Sequence, residues 1–260
     1  LDIGAESPVD IALAAVAEML AVINERPGGS LKHRTTPLHE RTPTVDMASV
    51  RIPTIILAAG ASRRLGEPKQ LLRDTTGYSL LRRVVEDAVA GGCAPVYVVV
   101  GAHDAAIRAI LEGTAARLVV NAAWEEGMSS SIRAGIAAVR TNVAHDEAAT
   151  AGTIDGVLLM PCDQPAISAQ HIRSLRAGFQ DALLDGPSRI VSRYQGVLGT
   201  PAIWPVHDFD ALSALSGDRG ARTLLHGNER AIDLVDGALD LDTPADVAAW
   251  RGAAAPNTSV

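Results

Sequence analysis

Thr54-Ile-Ile-Leu57-Ala58-Ala59-Gly60-Ala-Ser62-Arg63-Arg64-Leu65-Gly66-Glu-Pro68-Lys69-Gln-Leu-Leu72 decides how the chain is read. Apolar residues run straight into Ala58-Ala59-Gly60, and Ser62, two arginines, Gly66 and Pro68-Lys69 follow. That order describes a buried strand opening into a flexible, basic loop. Small residues let backbone N–H groups approach phosphate oxygens, while Arg63, Arg64 and Lys69 supply charge-assisted hydrogen bonds stronger than neutral ones. Such a loop suits a triphosphate. It has neither G-x-x-x-x-G-K-[ST] nor G-x-G-x-x-G spacing, so it is not a Walker loop and not a dinucleotide turn.

From Ile52 onward, short β-branched or aliphatic runs alternate with helical patterns. Strands are expected at Ile55–Ala58, Val96–Val100, Leu118–Val120 and Val157–Met160, and helices at Leu80–Ala90, Ala105–Leu111 and Ser131–Val139. This is the rhythm of a mostly parallel sheet with helices on both faces, an α/β fold. Further strands are expected at Arg189–Arg193, Val197–Ile203 and Ala231–Val235, with helices near Phe209–Leu215, at Ala221–His226 and from Pro244. Ligands of such sheets bind at the carboxyl ends of the strands, where strand order switches, and the opening motif lies at one such end.

Before Ile52 the pattern differs. Ile11, Val16, Met19, Leu20 and Ile23 fall near helical spacing after a Ser7-Pro8 start, and Glu25–Arg51, with three prolines and a Gly-Gly pair, reads as a linker. The expected division is therefore 1–51, an amphipathic helix and linker, and 52–260, the main domain.

Composition excludes several classes. A chain of 260 residues with 47% hydrophobic residues can bury a full core, and with only 3% aromatics its interior must be Ala, Val, Leu and Ile. A formal charge of −7 argues against a nucleic-acid surface, so any nucleotide is expected to be a small molecule. Cys93 and Cys162 are too few for a disulfide framework and lack ligand spacing, as do the seven scattered histidines. No apolar run spans a bilayer and no signal peptide opens the chain, so a cytoplasmic protein with no membrane partner is expected.

Three further clusters carry chemistry. Asp163 follows the apolar run Gly156–Met160 between Pro161 and Pro165, where it can hold Mg²⁺ or cap the next helix. Asp240 and Asp242 alternate onto one face before Thr243-Pro244, and Asp242 or Thr243 can equally be a helix cap. Asp246 reads as a solvated first-turn residue. Ser129, Ser130 and Ser131 open a helix, either as caps or as hydroxyls that read base edges and phosphates.

The pattern L-A-A-G-x-S-x-R-[ML]-G-x-P-K, with Leu65 where Met is common, resembles the signature of the molybdenum-cofactor nucleotidyltransferases, in particular the cytidylyltransferase branch. The resemblance covers Ile52 to Arg251 and includes Asp163-Gln-Pro, the Asp240-to-Asp246 tail, Asn121-x-x-Trp124-x-x-Gly127-Met128-x-Ser130-Ser131, Gly199-Thr-Pro201 and Gly217-Asp218-Arg219-Gly220-Ala-Arg222. It implies a Rossmann-like three-layer α/β/α nucleotidyltransferase. The substrates it implies are CTP and molybdopterin, and the products molybdopterin cytosine dinucleotide and pyrophosphate. Its metal is Mg²⁺ on Asp163 and Asp242, with Arg63, Lys69 and Asp163 catalytic. Leu57, Ala58, Ala59, Gly60, Ser62, Arg63, Lys69, Asn121, Ser130 and Ser131 would bind the nucleotide, and Gly199, Arg219 and Arg222 the acceptor. Ala59 stands where guanylyl-specific relatives have a second Gly, which favours cytosine. The same chemistry with GTP or another acceptor is the nearest rival, and a cofactor delivery module the more distant one. Residues 1–31 resemble the C-terminal tail of the xanthine dehydrogenase accessory proteins, which implies a fusion with an upstream domain and a molybdenum-hydroxylase apoenzyme as recipient.

Overall fold

The computed structural model describes residues 50–145, 154–186, 188–227 and 229–253, together with Ser7, Ala12, Val16 and Met19. By its contacts the chain divides into Leu1–Thr44 and Val45–Val260. In the first unit, Ala12, Val16 and Met19 are helical and exposed. The rest of the expected N-terminal helix, and the linker as far as Ser49, lie outside the described residues.

The second unit is built on seven strands: β1 (Thr54–Ala58), β2 (Val96–Val100), β3 (Ala116–Val120), β4 (Gly156–Pro161), β5 (Ile190–Tyr194), β6 (Val197–Pro205) and β7 (Arg230–Asp233). They form one sheet in the order β3-β2-β1-β4-β6-β5-β7. β1 pairs in parallel with β2 and β4, and β2 with β3; β6 runs antiparallel to both neighbours, and β5 pairs in parallel with β7. The chain winds outward from β1 to β3, then returns to place β4 on the other side of β1. The crevice at that switch, beside the C-terminal ends of β1 and β4, is where α/β sheets bind ligands.

Helices α1 (Leu80–Ala90), α2 (Asp104–Leu111), α3 (Met128–His145), α4 (Ala169–Asp185), α5 (Phe209–Ser213) and α6 (Pro244–Ala253) cover both faces. Strand periodicity divides the core. Ile56, Val98, Leu158 and Met160 pack with Leu81 and Val85 of α1, Ile172 and Phe179 of α4 and Trp250 of α6, while Ile55, Val99, Val157 and Leu159 pack with Ile132 and Ile136 of α3 and Phe209 of α5. The central strands are apolar on both faces for that reason, and each fully buried aliphatic side chain contributes roughly 1.5–3 kcal/mol. This is the three-layer α/β/α architecture the alternation implies. α3 lies very close to β1, since a Cβ at Gly135 would stand 2.6 Å from Ile55 Cγ2.

Two details differ from expectation. The helix after Asp163 has 17 residues and is capped not by Asp163 but by Ser168, whose side chain accepts from the His171 amide. Ala221–Leu224 is a 3₁₀ turn rather than a helix to His226, because the Leu224 carbonyl accepts from Arg189 Nη1 at 2.6 Å and Leu225 is extended.

α4 is joined to the sheet by a buried polar chain. Ser192 Oγ donates to the Pro201 carbonyl at 2.7 Å, so at 2.8 Å it accepts from His171, which is therefore the Nε2–H tautomer. Burial holds the His171 pKa below its ordinary 6.5. Above pH 6.5 the imidazole is neutral folded or unfolded. As pH falls below that value the unfolded chain takes up the proton first, so stability is lost towards the lower folded pKa. His171→Gln keeps a donor to Ser192 but cannot titrate. Its unfolding free energy in urea is expected to fall less between pH 7.5 and 5.5 than the wild type's, and an equal fall rules out His171 as the source.

Candidate active site

The loop after β1 is held by a residue the sequence reading passed over. Gln70, buried in the 3₁₀ turn Lys69–Leu71, donates from Nε2 to the carbonyls of Ala58 at 2.9 Å and Gly60 at 2.7 Å. Ser62 Oγ donates to Gln70 Oε1 at 3.4 Å and accepts from the Lys69 amide at 3.0 Å. Ser62 itself has φ 53°, and Gly66 has φ 82°, a conformation glycine adopts without strain. Leu65 is buried in the core and pins the loop's middle, while Arg63 and Arg64 before it are exposed. A lone polar residue between Lys69 and Leu71-Leu72 was the available signal for Gln70.

Two carboxylates meet under this loop. Asp163 follows β4, and its Oδ2 pairs with Lys69 Nζ. Asp242 Oδ1 lies 3.2 Å from the same ammonium, and its Oδ2 lies 2.7 Å from Arg64 Nη2. The alternative role for Asp242 as a helix cap falls to its neighbours. Thr243 Oγ1 accepts from the Asp246 amide at 3.3 Å and Asp246 Oδ2 accepts from the Thr243 amide at 2.8 Å, a reciprocal capping box for α6. Asp240 stands behind, accepting from Gln164 Nε2 at 2.8 Å, while the Leu241 amide donates to the Asp163 carbonyl at 3.1 Å. These bonds stitch the tail to the Asp163 segment. Burial, with Asp163 and Asp242 nearby, holds the Asp240 carboxyl above its ordinary value.

Burial works against the Lys69 charge, yet the charge and hydrogen bond of Asp163, with Asp242 behind it, raise its pKa above the usual lysine value. Lys69 is therefore an ammonium at neutral pH. Cys162 is buried, and burial followed by the Asp163 charge pushes its thiol up to about 12, which disfavours it as a nucleophile.

A cleft of about 610 Å³ opens beside Lys69 and Asp163, while Asp242 reaches Lys69 from outside its lining. Leu57, Ala59, Gly60, Ser62, Arg63, Lys69 and Gln70 line it from the loop, and Cys162 and Asp163 from the end of β4. Trp124, Glu125, Glu126, Met128, Ser131 and Ile132 line it from the start of α3. Trp124 packs on Gly101, where a Cβ would be 2.6 Å from Trp124 Cγ and 2.8 Å from the Ala59 carbonyl.

The remaining sequence candidates fall less uniformly. Asn121 and Ser130 are buried and absent from the lining: Asn121 Nδ2 donates to Ser130 Oγ at 2.8 Å and Ser131 Oγ at 3.1 Å, fixing the wall from behind. Ala58 lies between the lining residues Leu57 and Ala59, but strand alternation turns it to the opposite face of the sheet, so it is likewise not in the lining. Gly199, Arg219 and Arg222 do not line the cleft; Thr200, Asp218 and Ala221 beside them do. Gly199 is packed under Tyr194, whose hydroxyl a Cβ would strike, and Asp218 is drawn to α3 by Ser129, whose hydroxyl donates to the Gly217 carbonyl at 2.5 Å.

The arrangement can bind a polyphosphate with Arg63, Lys69 and the glycine loop. Its carboxylates also fit a divalent cation, since Lys69 already shows that both reach one cationic centre. Mg²⁺ is held in such sites by one or two carboxylates and substrate phosphates.

The model of the family described as "MobA-like NTP transferase domain" matches residues 54–232. Nicotine blue oxidoreductase of Paenarthrobacter nicotinovorans is 31% identical over 70% of this chain and 85% of its own length. Purine catabolism protein PucB of Bacillus subtilis (strain 168) is 28% identical over 76% of this chain and 95% of its own. The crystal structure of Rv0371C in complex with manganese, from Mycobacterium tuberculosis H37Rv, is 26% identical over 78% of this chain and 99% of that one, with a TM-score of 0.57. The chain belongs to the MobA-like NTP transferase domain family and is a nucleotidyltransferase.

The Gln70 clamp has a direct test. Gln70→Glu replaces a donating amide with oxygens facing two carbonyls, and is expected to lower the unfolding free energy by about 1–3 kcal/mol. Urea denaturation at neutral pH measures it, and wild-type stability in the variant removes the clamp.

Proposed function

We propose that the chain transfers a cytidylyl group from CTP to the molybdopterin form of the molybdenum cofactor, with Mg²⁺, giving molybdopterin cytosine dinucleotide and pyrophosphate. The observation that carries the reading is the meeting of Lys69 with Asp163 and Asp242 beneath a glycine loop at the sheet's switch point. The manganese in the related mycobacterial structure supports a divalent metal.

In this reading the loop N–H groups, Arg63 and Lys69 hold the triphosphate, and the base lies by Ser131 with Leu57, Ile132 and Leu159 beneath it. The acceptor enters beside Thr200, Asp218 and Ala221. An oxygen of the acceptor's phosphate attacks the α-phosphorus in line; the new P–O bond forms as the bond to pyrophosphate breaks. Asp163 and Asp242 would hold the cation, which when bound neutralises charge on the phosphate oxygens. The protein's own work is alignment, charge neutralisation by Arg63 and Lys69, and exclusion of water. Ala59 narrows the base end, where Trp124 and Gly101 already close on its carbonyl, and that favours the smaller base.

Purified protein with Mg²⁺, molybdopterin and each NTP in turn is expected to release pyrophosphate fastest with CTP. Lys69→Gln and Asp163→Asn should each lower kcat/KM by about 100-fold or more, the scale of losing one preorganised electrostatic contact. Release with no NTP, while molybdopterin still binds, would return the chain to the delivery reading. Ala59→Gly should move the CTP/GTP ratio of kcat/KM towards GTP by about tenfold; an unchanged ratio excludes Ala59 as the discriminator.

A further inference from the structure

β6 departs from a regular ladder beside the cleft. Val191 of β5 stands opposite Ala202, but the next residue, Ser192, stands opposite Gly199 instead of Pro201. Thr200 and Pro201 are thus left out of that pairing, as in a β-bulge, a device that re-aims side chains next to sites. On its other side β6 keeps step with β4. Leu159 faces Ala202, and the same register two residues further on brings Thr200 level with Pro161, just before Asp163. Ala202 and Leu159 pack on the α3 face of the sheet, and Thr200, two residues from Ala202, shares that face and lines the cleft.

A bulge leaves backbone groups that must be satisfied outside the ladder. Pro201 has no N–H to offer, and its carbonyl accepts from Ser192 Oγ at 2.7 Å. Ser192 in turn accepts from His171 Nε2 at 2.8 Å, and both side chains are buried. The chain of bonds therefore runs from the first turn of α4, through β5, to the carbonyl of the residue that follows Thr200. Apolar side chains in place of His171 and Ser192 would fill the space between α4 and β5, but they would leave the Pro201 carbonyl without a donor. The bonds thus serve the bulge, and the bulge aims Thr200.

We propose that Ser192 and His171 are positioning residues for the acceptor: through the Pro201 carbonyl they hold the bulge that turns the Thr200 hydroxyl towards the acceptor's phosphate. This rests on the nucleotidyl-transfer reading, in which an oxygen of that phosphate attacks the α-phosphorus. β4 separates β6 from β1, so a phosphate held by Thr200 faces the glycine loop across the end of β4. That placement suits in-line attack, with the nucleophile on one side of the α-phosphorus and the leaving pyrophosphate on the other.

The test is steady-state pyrophosphate release by the full chain with CTP, Mg²⁺ and molybdopterin, each substrate varied in turn. Thr200→Val and Ser192→Ala are each expected to raise the KM for molybdopterin about tenfold, the scale of losing one hydrogen bond to a charged group, and to change the KM for CTP by less than about twofold. His171→Leu is expected to follow Ser192→Ala, and His171→Gln, which keeps a donor, to recover most of the loss. Combining Ser192→Ala with Thr200→Val should add little to either change alone, because residues that act through one another are not additive. Equal damage to both KM values, or a full effect of Ser192→Ala on top of Thr200→Val, marks a merely structural role and overturns the proposal. Should Ser192→Ala not fold, His171→Leu takes its place in the cycle, and Thr200→Val, at a half-buried position of the cleft, reads the contact by itself. If Thr200→Val leaves the KM for molybdopterin at the wild-type value, this inference falls alone. If the wild type releases pyrophosphate with no nucleotide, the nucleotidyl-transfer reading falls and this inference with it.

Discussion

The ammonium of Lys69 gathers three distant parts of the chain. Its carboxylate partners lie 94 and 173 residues further along, one at the end of β4 and one in the tail before α6. A partly buried ion pair is weak evidence for stability, because desolvation of both charges offsets much of their attraction. The cluster is better understood as a functional constraint that the surrounding bonds maintain. Gln70 turns the loop so that Lys69 points inward, Gln164 and the Leu241 amide hold the tail to the Asp163 segment, and the Thr243–Asp246 capping box leaves Asp242 free to face Lys69.

The sheet explains why these groups can meet at all. Parallel pairing of β1 with β2 and β4 puts the ends of three strands on one edge, with Leu57 opposite Pro161 and Ala58 opposite Val100. β6 runs the other way, with Gly156 opposite Pro205 and Leu159 opposite Ala202, so its early residues lie at that same edge. The reversal is what brings Thr200 to the cleft. A parallel β6 would present its far end there and leave that side of the cleft without a wall from this strand.

Much of this was legible because burial on both faces leaves a strong mark. β1, β2 and β4 are apolar runs ending in Ala-Ala-Gly, Gly and Pro-Cys-Asp, and Ala59, Gly60 and Pro161 to Asp163 of those endings line the cleft. α1 was readable from the helical spacing of its apolar residues. What failed to show was contact between segments. Nothing in the sequence around Leu224 reveals that Arg189 takes its carbonyl and stops the turn. Ser130 and Ser131 look equivalent in sequence, yet the pitch of α3 directs Ser131 to the cleft while Asn121 keeps Ser130 in the wall. Arg219 and Arg222 advertised a phosphate site, but the tie between Ser129 and Gly217 presents Asp218 instead.

That last substitution of sign bears on which form of substrate the cleft prefers. The chain carries a formal charge of −7, and Glu125, Glu126 and Asp218 join Arg63 and Lys69 in the lining. Glu126 is paired with Arg133 at 2.7 Å, whereas Glu125 and Asp218 have no ion pair among the described residues. A bare triphosphate would meet this field at a disadvantage, since like charges inside a low-dielectric cleft repel more strongly than in water. A triphosphate that carries its own divalent cation presents less negative charge to the acidic side and still offers oxygens to Arg63, Arg64 and Lys69. The acidic side of the cleft therefore disfavours a nucleotide whose phosphate charge is not already partly neutralised.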